Sequence, residues 1–127
     1  MVVCCTWAFW RGGPVERYGA AILIASWMLS YVVDTRGGQP NPIIITIDTL
    51  TMLVFIGVSF WSRRLWTLFA AAFMVDTVCA HVCAILFHFD AFSYITITGI
   101  FGGWGQIFAL TGGVISYQHG QKAEAQT

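Results

Sequence analysis

The sequence predicts an all-α membrane protein: four antiparallel transmembrane helices in an up-down bundle, with both termini cytoplasmic. Three observations predict it. Of 127 residues, 57% are hydrophobic and only 9% are charged, which lies outside the usual range of water-soluble domains. Four long apolar stretches, approximately Val15–Val33, Ile43–Trp61, Leu65–His88 and Phe92–Tyr117, approach or exceed the roughly 20 residues a helix needs to cross hydrocarbon. Finally, the basic residues segregate. With alternating spans, Arg11, Arg17, Arg63, Arg64 and Lys122 fall on one side and only Arg36 on the other, which marks the first side as cytoplasmic. Trp7, Trp10, Trp61 and Trp66 belong to the same predicted interface.

The first ten residues are apolar but too few to span. They lack the basic start and small-residue cleavage site of a signal peptide. They are expected to lie at the headgroup level, with Trp7, Phe9 and Trp10 as anchors. Arg11-Gly12-Gly13-Pro14 breaks the chain before the first span, and the segment 36–42, with two glycines and two prolines, separates the first span from the second. Ser62-Arg63-Arg64 and Phe89-Asp90-Ala91 are tight turns, so sequential spans are antiparallel neighbours. The fourth span carries Gly99, Gly102, Gly103, Gly105, Ala109, Gly112 and Gly113. At about 100° per residue most of them share one face, with Gln106 among them and Trp104 pointing away. Such a surface lets helices approach closely in lipid. Residues 118–127 read as a polar, frayed tail. The whole chain is one transmembrane domain.

A net charge of zero provides no basic field for nucleic acid. Cys4, Cys5, Cys79 and Cys83 are expected to stay reduced, because Cys79 and Cys83 lie one helical turn apart and point outward in parallel.

Ionisable side chains inside a membrane are costly, so each needs an account. Asp48, Asp76 and His81 are the candidates, while Asp34, His88 and Asp90 lie near span ends within reach of water. Counting ~1.5 Å per residue puts Asp48 roughly 7 Å and His81 roughly 10 Å from the outer end, whereas Asp76 and Gln106 are near the midplane. Two depth-matched pairs follow, Asp48 with His81 and Asp76 with Gln106. On the third helix Asp76 shares a face with Ala72, Cys79, Ala80 and Cys83. His81 points about 140° away, with Thr77, Ala84 and His88. A close Asp48–His81 pair is expected, with the remaining polar groups serving as interhelical hydrogen bonds or as a path for protons or solute.

Several chemistries are unsupported. In Cys79-Ala80-His81-Val82-Cys83 a helix turns the histidine away from both cysteines, so the ligands cannot converge on a metal. His88 and His119 lie at opposite ends, so no histidine pair clamps a haem, although His81 alone could ligate a chlorin pigment. The single lysine, Lys122, sits in the tail, which leaves no retinal Schiff base. No catalytic constellation appears, and an enzyme is not expected. Small multidrug transporters use a buried glutamate in the first span; Glu16 is expected instead at the interface beside Arg17.

The run Ser62-Arg63-Arg64-Leu65-Trp66-Thr67-Leu68-Phe69-Ala70-Ala71, followed by His81 and preceded by Glu16-Arg17-Tyr18-Gly19, resembles a group of small, uncharacterised four-helix bacterial inner-membrane proteins. Their third span tends to open R-x-W-P-L-x-x-A, and Thr67 stands here at the proline. The resemblance implies four spans in a bacterial inner membrane and supplies no activity. The expected role is an accessory or scaffold subunit packed against a larger respiratory or photosynthetic membrane complex, with Trp27 and Phe101 facing lipid or partner. The alternatives are an oligomeric proton-linked transporter or channel using Asp48, Asp76 and His81, and a pigment-binding subunit with His81 as ligand.

Overall fold

A computed structural model describes residues 2–34 and 40–125. They form six α-helices and one π-helical segment, with no strand among the described residues. The helices are α1 (Val2–Arg11), α2 (Pro14–Val33), α3 (Pro42–Ser62), α4 (Leu65–Phe87), α5 (Ala91–Thr98) and α6 (Gln106–Glu124). The π segment Gly99–Gly105 joins α5 to α6. Two of the helices, α3 and α4, are long and apolar enough to cross a membrane. The first predicted span, α2, is diluted by Glu16, Arg17 and two serines, Ser26 and Ser30. The fourth is divided between α5, the π segment and α6. Arg36 and most of its predicted turn lie outside the described residues.

Each turn has a local cause. Pro14 and Pro42 occupy first-turn positions, where the missing N–H costs nothing. Asn41 caps α3 by accepting from the Ile43 amide at 3.0 Å, and its amide group donates to the Val33 carbonyl at 3.0 Å. That residue ties the end of α2 to the start of α3. Arg63 and His88 each adopt a left-handed conformation, φ 53°, just past α3 and α4. Their backbone N–H groups return to Ser59 and Ala84, closing each helix within one residue.

The core gathers Leu23 of α2, Phe55 of α3, Trp66, Ala70 and Met74 of α4, and Leu110 and Val114 of α6. The central helix is α4, which packs against α3, α5, the π segment and α6. The first departure from expectation is α1. Instead of lying along a surface, it turns back at Gly12-Gly13 and packs on α2 and α6, with Cys5 and Ala8 in the core. Trp7 packs partly against that core, while Phe9 and Trp10 stay exposed. The second is the tail, which continues α6 as helix to Glu124.

One end of the bundle collects positive charge. Arg11, Arg17 and Lys122 surround Tyr117, and the Arg64 guanidinium lies 5.3 Å from the centre of the Tyr117 ring. There Glu16 is drawn inside the bundle. Its side chain is fully buried, and its Oε1 accepts from Arg64 at 3.0 Å and from the Trp66 indole at 2.9 Å. A carboxylate needs such charged and neutral donors to enter an apolar core.

Candidate functional site

At the opposite end, three helices bring one residue each to a single imidazole. His81 of α4 places Nε2 2.8 Å from Asp48 Oδ2 of α3. The Tyr94 hydroxyl of α5 lies 2.7 Å from His81 Nδ1. His81 is 1% exposed, and Tyr94 is buried as well, whereas the Asp48 side chain keeps 17% exposure. With Asp48 ionised, a neutral imidazole has one arrangement that satisfies both contacts. Its Nε2–H donates to the carboxylate, and Nδ1 accepts from the tyrosine O–H. A proton added at Nδ1 would require the phenol oxygen to become the acceptor. The chain of hydrogen bonds thus has two directions.

Sequence sets this geometry locally. Thr77, His81 and Ala84 recur at helical spacing on the buried face of α4. Tyr94 is aimed by the turn before it. Asp90 caps α5, its Oδ2 accepting from the Ser93 amide at 3.0 Å and its Oδ1 from the Ser93 hydroxyl at 2.7 Å. These bonds hold the Asp90 carboxyl below the usual aspartate range, the Ser93 hydroxyl contributing most. The Tyr94 amide then bonds the Asp90 carbonyl, which places the phenol one turn into α5, facing α4.

Asp48, His81 and Tyr94 line a partly open chamber of about 740 Å³. Its wall includes Ser26, Trp27 and Ser30 from α2, Asp34 just past its end, Thr51 from α3 and Thr77 from α4, and Cys4 of α1 reaches it. The Thr51 hydroxyl bonds both Ser26 and the Ile47 carbonyl, linking α2 to α3 across the wall. Gly99, Gly102 and Gly103 of the π segment form the remaining side. π segments widen the helix by a residue per turn and occur frequently where ligands bind. A Cβ at Gly102 would come within 3.1 Å of the Thr77 hydroxyl, so glycine is what brings the π segment to α4.

The other singled-out residues divide. Asp76 and Gln106 do not pair. Gln106 is buried and donates from Nε2 to the Ala70 carbonyl at 2.8 Å, while Asp76 is exposed on the outward face of α4 with Ala72 and Cys79. Among the predicted packing residues, Gly102, Gly103, Gly105, Ala109 and Gly113 do face the bundle. Gly99 borders the chamber and Gly112 a groove between α4 and α6, and a Cβ at either would meet nothing within 4 Å. The pigment reading would use a His81 ring nitrogen, and here Nε2 faces Asp48 and Nδ1 faces Tyr94. Cys79 and Cys83 are free thiols on other faces, and no group of three or more potential metal ligands occurs among the described residues. Asp34, His88 and Asp90 are all exposed near helix ends, as expected, and Asp34 also borders the chamber.

Sequence reasoning passed over Tyr94 and the burial of Glu16. The first had a signal, since Asp90 and Ser93 form a cap that fixes the next residue. The second had none at short range, because its partners Arg64 and Trp66 are 48 and 50 residues away. Comparison with family models, with curated proteins and with solved structures finds no match to this chain.

Proposed function

We propose that this chain is a multi-pass protein of a bacterial inner membrane that binds a small solute and couples its passage to a proton. In this reading α2, α3, α4 and the α5–α6 unit are the four spans. The cluster of Arg11, Arg17, Arg64 and Lys122 marks the cytoplasmic end. The chamber then opens toward the outside. The observation that supports the reading is His81, buried between a carboxylate and a phenol on the wall of a cavity inside the bundle. An intramembrane Asp–His unit is costly to maintain, which favours function over packing alone. Asp48 and Asp34 favour a solute with hydrogen-bond donors or positive charge, and Trp27 offers it an aromatic face. The protein acts without bond-making chemistry, by moving a proton along Asp48, His81 and Tyr94 as the solute enters or leaves. The test is proton flux in proteoliposomes under an imposed gradient. Flux above that of protein-free vesicles, returned to baseline by His81→Ala, supports it. Wild-type flux at the protein-free level contradicts it.

A second reading rests on Asp76. It is the central residue of α4 and makes no hydrogen bond within the described residues, yet it faces outward. A carboxyl there calls for a neighbour in the bilayer, as in an accessory subunit of a larger complex. Purification in mild detergent through a C-terminal tag distinguishes the two. A stoichiometric partner supports the second reading, and recovery of this chain alone opposes it.

A further inference from the structure

A second cavity, about 620 Å³, lies at the arginine-rich end, between α4 and α6. Its polarity runs in one direction. Arg63, Arg64 and Ser116 stand at one end, and the slot continues between Phe69 and Phe73 on α4 and Phe108 on α6. We propose that this groove binds an anionic phospholipid, with the phosphate at the arginines and one acyl chain along the slot. The inference rests on the membrane location above and not on the chamber at the other end.

Three observations support it. The first is charge. Glu16 neutralises one guanidinium through its contact with Arg64, whereas Arg63 is exposed and has no carboxylate partner among the described residues. Two guanidiniums against one buried carboxylate leave one positive charge at the mouth. Arg63 is also held in place by its left-handed cap, whose N–H bonds the Ser59 carbonyl at 3.2 Å.

The second is length. From Leu65 to Phe73 the slot follows nine residues of α4, a rise of roughly 12 Å, which approaches the ~15 Å of one hydrocarbon leaflet. A free phosphate would use the mouth and leave this apolar slot empty.

The third is the floor. Gly112 lines the groove, and a Cβ there would meet nothing within 4 Å. The next residue, Gly113, is closed over by Trp66. Space is therefore left on the groove side and removed on the core side. Basic pockets between spans at the cytoplasmic face are where anionic headgroups bind.

The test uses the full-length protein in mild detergent, with phosphatidylglycerol and phosphatidylcholine as probes and native mass spectrometry as the readout. The wild type should retain phosphatidylglycerol in preference to phosphatidylcholine. Gly112→Leu fills the slot and Arg63→Gln removes the unneutralised charge, so each should weaken phosphatidylglycerol binding about tenfold. Arg64 is left intact because it holds Glu16, and circular dichroism checks that each variant keeps its helices. Equal retention of the two lipids would overturn the proposal. So would undiminished binding in both folded variants, or displacement of the lipid by inorganic phosphate at comparable concentration.

Discussion

Trp66 rests against the bare Cα of Gly113. A Cβ built at that position would lie 2.6 Å from the indole Cγ and Cδ1, and one at Gly19 would lie 2.4 Å from the far edge of the same ring. One indole therefore fills the space between α2 and α6 while its N–H reaches Glu16 at 2.9 Å. Close approach, a buried polar contact and the central place of α4 meet in this side chain.

Gly113→Ala should destabilise the bundle by ~1–3 kcal/mol, the usual cost of forcing volume into a packed core. Gly112→Ala, one residue away and facing open space, should be near neutral. Thermal unfolding of both variants in the same detergent makes the comparison. Equal effects would mean that Trp66 does not wedge the helices as described.

Trp66→Phe keeps most of the ring but removes the donor to Glu16. A buried acceptor that loses a partner costs about 1–3 kcal/mol. Arg64 still reaches Glu16, which places the expected loss toward the low end. Unfolding midpoints in a single detergent would measure it, and an unchanged midpoint would count against the contact.

Asp90 gives a pH dependence with a definite sign. Its carboxyl is held below the usual aspartate range by Ser93, so the folded state favours the ionised form. The stabilisation of the α5 start is therefore present above the ordinary aspartate range and is lost as pH falls through the lowered value. Protection of the Ser93 amide, its exchange rate measured against the unprotected rate at the same pH, should fall with acidification in the wild type. In Asp90→Ala protection should be low throughout and show no such acid-dependent loss. Unchanged Ser93 protection in acid would contradict the cap.

Much of the helix plan was legible because apolar length, proline and glycine act locally. Pro14, Pro42 and the turns at Arg63 and His88 bound α2 to α4 within a residue or two of the expected spans. The meeting of Asp48 with His81 was legible as well, since a tight hairpin and equal depth constrain two antiparallel helices. The pairing of Asp76 with Gln106 failed because matched depth says nothing about the facing direction. α4 buries the Thr77–His81 face and turns Asp76 outward. Burial of α1 and Glu16 depends on contacts across the whole chain, which no local periodicity reports.

Tyr94→Phe separates position from chemistry at the chamber. The ring stays, but His81 Nδ1 loses its partner, a change of about 1 kcal/mol or less in stability by the membrane average. Solute-coupled proton movement should slow by far more than stability falls. Parallel measurement of unfolding and flux would show this, and proportionate losses in both would assign Tyr94 a packing role only.

The central claim is that protons pass through the Asp48–His81–Tyr94 unit and not along the outward face of α4. Proton flux in proteoliposomes of matched protein content, compared between Asp48→Asn and Asp76→Asn, tests it most directly. The account predicts that Asp48→Asn lowers the flux by about tenfold or more, equivalent to ~1.4 kcal/mol on the limiting barrier, while Asp76→Asn leaves it within about twofold. Flux that survives Asp48→Asn but falls in Asp76→Asn would contradict the account.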